Sequence, residues 1–485
     1  MAGPPLETAD RIAPGSQGVA VDLHRFFRPA SVAIVGAAER ETSSGGAVLR
    51  NMKIAGYRGR IIPVNPKGGE ILGLPAQASL REVVPPAELA VLVVRPDLIL
   101  DVVREAAESG HRHLLILPGG FAEAGPEGLA RDADLRRITA AAGITVAGPN
   151  CAGDIDLLDP ESPFAATFLR DMPKGGPVAF ISQSGAIAEE VIAKSHTLGL
   201  PFGAIVSVGN AVHLGVTEYL EHYGADDRCK AIALYVESFG DVARFKAVAK
   251  DVSLRKPIVA LVGGRTLPGA GAVRRHTGAE ALGSEELDRL FAACGVIRAA
   301  SLRRLLIACK GLGAFPRGFG NRVLVLSNSG GPGVITTDAA FREGMELPEL
   351  PEALAATLRA ALPAEAAVAN PLDLLADARQ ERFALTLGEA LRHAPGRFDA
   401  ILMMHVVPFM VDPTPVVAKL AELCAEQARG PAALPIMHTM MGTLPGRAEL
   451  FATLEAAGVP AFDDGEEMAL AAGTCAAYRA FRETR

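Results

Sequence analysis

The chain has 485 residues, 49% of them hydrophobic, with 51 glycines and only 5% aromatics. That is enough apolar material for about three domains, and the small-residue bias fits α/β packing and excludes a disordered chain. A net charge of −7 without a Lys/Arg-rich block argues against nucleic acid as a partner.

The opening stretch, MAGPPLETADRIAPG, has no apolar core and predicts no secretory signal. We read residues 1–20 as a tail. From 21 to 153, apolar runs alternate with helical patterns. SVAIVG precedes a helix from Ala47 to Ala55, and RIIPVN precedes a loop. ELAVLVV precedes a helix from Leu98 to Ser109, HLLILP one from Gly128 to Ala142, and ITVAG closes the series. Buried strands separated by amphipathic helices predict a doubly wound parallel sheet. Ligands bind such sheets at the carboxyl ends of the strands, here Gly36-Ala37-Ala38, Asn65-Pro66-Lys67, Val94-Arg95-Pro96 and Leu117-Pro118-Gly119-Gly120. The second strand ends on Lys67, where an NAD site would carry an acidic residue. A lysine there suits a phosphorylated ribose, as in coenzyme A or NADP, or is simply a solvated turn residue.

A Pro/Gly-rich passage, Met172 to Pro177, separates this segment from a sheet expected to begin with VAFIS. The turn Ser182-Gln183-Ser184-Gly185 follows, then a helix from Ala186 to Leu198. A strand, a short Ser/Gly turn and a helix bring backbone N–H groups and the positive helix end to one point, which suits phosphate. Ordinary N-capping by Ser182 or Ser184 explains the same residues. Further strands, AIVSVGN, AIALYVE and PIVALVGG, place Glu237 at a strand end and lead into a loop of small residues from Gly263 to Ala279 that carries His276 and Gly278. A histidine in such a loop is a plain surface residue, a point of positive charge, or a nitrogen nucleophile for a phosphoryl group; Glu237 either orients its ring or is a surface carboxylate capping a helix.

After a Gly/Pro linker, GAFPRGFGN, the strand RVLVLS leads to Asn328-Ser329-Gly330-Gly331 and a helix from Val334 to Glu343. This repeats the plan seen at Ser182 and predicts a second flavodoxin-like sheet over 313–485, after the first over 154–312. The apolar run 400–410 is too short to span a bilayer and is broken by His405 and Pro408. His405 and His438 lie in or beside apolar segments and receive no role. Six cysteines, spread without a C-x-x-C pair, read as buried thiols of a reducing cytoplasm; no metal site is expected.

The motifs FFRPASVAIVGAA, PVNPKGGEILG, LPGGFAEAG and GITVAGPNCAG, in that order, resemble the CoA-binding domain of the NDP-forming acyl-CoA synthetases, the superfamily of succinyl-CoA ligase. ISQSGAIAEE, SVGN, IALYVESF and GGRTLPGAGAVRRHTGA resemble its ligase domain. NSGGPGVITTDAA and ANPLDLL resemble the third domain of the ADP-forming acetyl-CoA synthetase α subunit. The resemblance implies a Rossmann-like CoA-binding domain followed by two flavodoxin-like domains. It puts Gly36, Ala37 and Ala38 along the CoA phosphates, Lys67 at the adenosine end, and Pro118 and Gly119 beside the pantetheine arm. It makes His276 the phosphoryl carrier and Glu237 its orienting group, with Ser182, Gln183, Ser184, Gly185, Asn150 and Gly278 around the phosphoryl group.

Three positions depart from the family pattern. Arg275 replaces the usual Ser before the histidine, an Asp usual after SVGN is replaced near His213, and the Lys often found ahead of the Gly-Arg pair is missing. No segment resembles a Walker A loop or an ATP-grasp domain. ATP or ADP with Mg2+ is therefore expected on a separate ATP-grasp β subunit, the acyl-CoA or carboxylic acid substrate being shared in a hetero- or homo-oligomer. The alternative is a non-catalytic CoA or acyl-CoA binding regulatory protein.

Overall fold

The computed structural model describes residues 23–485 apart from 278–281, 394, 409–410, 431–432 and 443, and for residues 274–277 it describes the backbone alone. Three sheets, each built on five parallel strands, follow one another along the chain. The first runs Arg60–Val64, Ser31–Val35, Leu89–Leu92, His113–Ile116, Thr145–Ala147. Numbered by their order in the chain, these strands read 2-1-3-4-5. The second sheet repeats that order with Phe202–Ser207, Val178–Ser182, Ala231–Val236, Ile258–Val262 and Val296–Arg298. The third repeats it again with Leu372–Asp373, Val323–Ser327, Ala400–Val406, Ile436–Met441 and Ala461–Phe462. In every unit the chain reverses direction across the sheet between its first and third strands, where open α/β folds bind their ligands.

The strands are nearly all buried, as continuous apolar runs in a parallel sheet require. The helices predicted in the first two units form close to their expected bounds, as Ser44–Ala55, Ile99–Glu108, Gly125–Ala142 and Gly185–Leu198. In the third unit the predicted helix forms as Gly330–Arg342. The crossover after Arg60–Val64 has no long helix; it holds a two-stranded hairpin, Glu70–Ile71 with Leu74–Pro75, and a 3-10 turn.

Two expectations need correction. The second sheet does not begin with VAFIS: two antiparallel strands, Gly153–Asp156 and Phe164–Thr167, extend it beyond Phe202–Ser207. Their short Gly/Asp and Ala/Thr sequences lack a β-branched run, and pairing with neighbours, not propensity, makes them strands. The stretch expected to be a loop from Gly263 to Ala279 is helical over Leu267–Thr277. Thr266 caps it, its hydroxyl accepting from the Gly269 N–H at 3.2 Å and its carbonyl from the Ala270 N–H at 2.7 Å. Pro268 sits in the first turn, where its missing N–H costs nothing.

Among the described residues no helix is long and apolar enough to cross a membrane. All six cysteines are free and buried.

Candidate functional site

At the first switch point, strand Ser31–Val35 ends in Gly36, whose φ of 92° only glycine adopts readily. The chain doubles back so tightly that a Cβ on Gly45 would lie 2.1 Å from the Gly36 carbonyl oxygen. Glycine at 45 therefore lets the start of helix Ser44–Ala55 press against the turn. Ser43 caps that helix, accepting from the Gly46 N–H at 3.2 Å. Asn65 steadies the turn from the next strand, donating from Nδ2 to the Ala37 carbonyl at 2.8 Å. The result is a helix N-terminus aimed along Gly36-Ala37-Ala38, a geometry that favours an anion.

At the second switch point, Ser182 is fully buried and locks the turn. Its hydroxyl donates to the Ser184 carbonyl at 2.8 Å and accepts from the Ser184 N–H at 3.1 Å. Ser184 caps helix Gly185–Leu198 through the Ile187 N–H. Gln183 reaches sideways to the next strand end, accepting from the Glu237 and Ser238 N–H groups and donating to the Ser238 carbonyl. Glu237 is 7% exposed and accepts from the Tyr235 hydroxyl at 3.1 Å. Burial, and then the Glu237 carboxylate beside it, push the Tyr235 hydroxyl up to about 12. The helix Leu267–Thr277 carries His276 in its last turn, and it packs against the short turn Ala122–Ala124 of the first unit. Gly278 lies outside the described residues.

The two switch points open into one cleft of about 1030 Å³. Gly36, Ala38, Pro118, Gly119 and Asn150 line it from the first unit's side; Gln183, Ser184 and Gly185 line it from the second. Ala37, Ser182 and Glu237 are buried behind these walls. Lys67 is exposed on its turn and is not part of the cleft wall; its N–H donates to Asn65 Oδ1 at 3.0 Å.

Residues that the sequence did not single out complete the site. Arg40 does so beside Ser43, Ser44 and Gly45, and it is joined there by Arg95 of the strand end already noted, which pairs with Asp97 at 2.8 Å. The signal was present, since a Ser pair before two glycines is an N-cap pattern. A second group ties the units together. Glu123 Oε1 accepts from the Gly120 and Phe121 N–H groups, and Oε2 accepts from Asn210 Nδ2. Asn150, at φ 58°, donates to Asn210 Oδ1 at 3.2 Å. Burial raises the Glu123 carboxyl, but the hydrogen bonds from Asn210 and the two backbone N–H groups outweigh it and hold the acid below its usual range.

His213, one of the departures, also stands between units. Its Nδ1 accepts from the Val146 N–H at 3.0 Å, and burial, helped by Arg136 and opposed by Asp132, holds the ring below the ordinary histidine range. The Arg275 side chain lies outside what the structure describes.

Three parallel-sheet units of one topology, with two helix N-termini facing a shared cleft, define a protein of the doubly wound α/β class that binds coenzymes at its switch points. The family model described as "CoA binding domain" matches residues 30–155. "Succinyl-CoA ligase like flavodoxin domain" matches 175–312, and "Ligase-CoA domain" matches 323–484. The chain is 33% identical to the α subunit of ADP-forming acetate–CoA ligase II of Pyrococcus furiosus, over 93% of this chain and 96% of that one. It is 30% identical to the ADP-forming 4-hydroxybutyrate–CoA ligase of Nitrosopumilus maritimus, matching 76% of this chain but spanning only 53% of that protein. A solved acetyl-coenzyme A synthetase 1 of Candidatus Korarchaeum cryptofilum, in complex with phosphate and ADP, superposes with a TM-score of 0.88. That match has 29% identity and covers 96% of this chain and 98% of that one. The chain belongs to the family of ADP-forming acid–CoA ligases, as a protein of the α-subunit type.

Proposed function

We propose that this chain is the α half of an ADP-forming acyl-CoA ligase. In this reading residues 21–153 bind CoA, 154–312 carry a phosphoryl group on His276, and 313–485 form the second flavodoxin-like ligase unit. The observation that supports it most is the shared cleft. One end has a capped helix N-terminus with Arg40 and Arg95, suited to the CoA phosphates. Leu117, Pro118 and Gly119 offer an apolar, close-backed wall for the pantetheine arm. The far end is a second helix N-terminus at Ser184 and Gly185, suited to inorganic phosphate. Lys67 would reach the adenosine end from outside the wall.

The chemistry proceeds in two displacements within this chain. A phosphate oxygen attacks the thioester carbonyl of acyl-CoA; the C–S bond breaks and the CoA thiol is released. A neutral His276 nitrogen then attacks the phosphorus of the acyl phosphate, the P–O bond breaks, and the carboxylate leaves. Direct attack needs an unprotonated ring nitrogen, and Glu237 would hold the opposite N–H and stabilise the cationic phosphohistidine. Helix N-termini supply fixed positive potential to the transferring group. Asn150 and Gly278 would border the phosphoryl position. ADP with Mg2+ on an ATP-grasp β subunit would then take the phosphoryl group, so this chain alone should bind CoA without turning over ATP. The relatives' names span acetate and 4-hydroxybutyrate, and the acyl group of this chain is left to the same experiment.

Purified chain is incubated with a panel of acyl-CoAs and labelled phosphate. Acid-labile, base-stable label on the wild type, lost in His276→Ala, supports the reading. Glu237→Gln should slow labelling by about 10- to 1,000-fold without abolishing it. Equal labelling of wild type and His276→Ala would remove His276 as the carrier. No label from any acyl-CoA, with an ATP-grasp subunit supplied, would favour a CoA-binding regulatory protein.

A further inference from the structure

The third sheet carries a cluster that the ligase reaction does not use. Strands Ala400–Val406 and Ile436–Met441 are parallel neighbours, with Met403 opposite His438 and His405 opposite Met440. In a parallel pair, opposite residues point to the same face, and residues two apart share it. Met403, His405, His438 and Met440 therefore form a two-by-two block on one face of the sheet, with histidines on one diagonal and methionines on the other. Strand spacing and rise put the two histidine backbones about 8 Å apart, within reach of two imidazoles turned toward one another. Met403 and Met440 pack in the apolar layer under helices Gln380–His393 and Thr414–Ala428, and Phe383 of the first helix meets the His405 ring edge-on.

The block is completely enclosed: His405, His438 and Met403 are 0% exposed and Met440 is 1% exposed. Yet none of the four imidazole nitrogens has a hydrogen-bond partner among the described residues. The Thr386 hydroxyl, on the buried face of helix Gln380–His393, also has none. Buried polar atoms are rarely left so, because each forfeits its hydration without return. Two such rings on adjacent strands of one core are an arrangement that packing alone does not explain.

We infer that Met403, His405, His438 and Met440 form a buried site for a soft monovalent metal ion, cuprous copper. Thioether and imidazole ligands together select Cu(I) among biological metals. The donors are all neutral, so the bound ion would leave a single positive charge, which an apolar core tolerates better than the double charge of zinc. The first-row divalent alternative also lacks its usual anionic ligands. Among the described residues no group of three or more His, Cys, Asp and Glu could hold a metal. Of the five methionines on the two strands, Met403 and Met440 face this side, while Met404, Met437 and Met441 belong to the opposite layer.

The test is an anaerobic titration of the full chain with Cu(I), delivered as its acetonitrile complex against a chromogenic cuprous chelator. X-ray absorption at the copper edge and thermal unfolding accompany it. The expected result is about one tightly held Cu(I), a shell of nitrogen and thioether sulfur, and a higher unfolding temperature; Zn(II) should give no such rise. The volume-conserving pair Met403→Leu and Met440→Leu should keep the native circular dichroism, remove the sulfur shell and weaken binding at least about tenfold. His405→Leu with His438→Leu should abolish binding. The inference is overturned if the wild type retains no Cu(I). It is equally overturned if copper binds with unchanged affinity to the folded methionine variant, which would move the ion to the buried cysteines. A crystal structure of the Cu(I)-treated chain with water bridging His405 and His438 would also overturn it.

Discussion

The Gln183 side chain satisfies both backbone groups of Ser238: Nε2 donates to the carbonyl at 2.7 Å and Oε1 accepts from the N–H at 2.9 Å. This clasp fixes the Ser182–Gly185 turn to the strand end that carries Glu237. Gln183→Ala removes it along with the bond from the Glu237 N–H. At about 1 kcal/mol per hydrogen bond, the variant should lose roughly 2 to 3 kcal/mol of stability. If His276 is the carrier, labelling should slow while CoA affinity stays within about twofold, since the clasp lies on the phosphate side of the cleft. Denaturant unfolding and labelling kinetics check the two halves separately.

Gly45→Ala should be far more damaging than a surface Gly→Ala exchange in a helix. The new methyl would meet the Gly36 carbonyl oxygen at 2.1 Å, so either the helix start or the turn must move. We expect a stability loss of about 1 to 3 kcal/mol, the usual range for overpacking. CoA affinity, read by calorimetry, should fall more than about tenfold because the N-terminal amides no longer face the turn. Unchanged affinity would place the CoA phosphates elsewhere.

Asp154 gives the molecule a pH dependence. Burial first, with a smaller push from Asp156, raises its carboxyl to about 7, against the hydrogen bonds from the Ser207 backbone and Tyr219. The folded state therefore holds a proton that the unfolded chain has released above about pH 4. Stability from this group is full below the unfolded value and is lost as pH rises toward about 7. Asp156, raised to about 6 chiefly by burial, acts in the same direction. Asp154→Asn should unfold at a higher denaturant concentration than wild type at pH 8 and lose that advantage by pH 4.5. An advantage that persists unchanged at pH 4.5 would remove the carboxyl from the account.

Lys67→Ala should weaken CoA binding by no more than about tenfold. The lysine is exposed on its turn, and a solvated ammonium contributes about 1 kcal/mol or less, falling with salt. Titration in low and high salt checks this. A hundredfold loss at high salt would mean that the side chain folds over a bound adenosine end.

The parts of this fold that were legible were those written in short apolar runs and in local turn chemistry. Ser182 and Ser327 announced the same turn in two units, and the structure gives them matching bonds: the Ser327 hydroxyl donates to the Ser329 carbonyl at 2.9 Å and accepts from its N–H at 3.0 Å. Asn328 even repeats the reach of Gln183, pairing with both backbone groups of Val406. What could not be read was anything made by distant partners. Glu123 meets Asn210 across 87 positions, and no local pattern marks either as half of a pair. The strands Gly153–Asp156 and Phe164–Thr167 exist because Phe202–Ser207 offers them an edge. Helix Leu267–Thr277 was hidden by its own glycines, whose poor propensity was outweighed by a good cap at Thr266.

The twin turns differ in what stands beside them. At the third switch point, a Cβ on Gly330 would lie 3.2 Å from the Asp373 carboxylate. Asp373 itself accepts from the Leu375 N–H at 2.9 Å, which keeps it in place. Helix Gly330–Arg342 thus starts beside a tethered carboxylate of its own chain, while helix Gly185–Leu198 starts at an open cleft. A duplicated motif thus does not make a duplicated site: one copy starts beside a carboxylate of its own chain, the other at an opening.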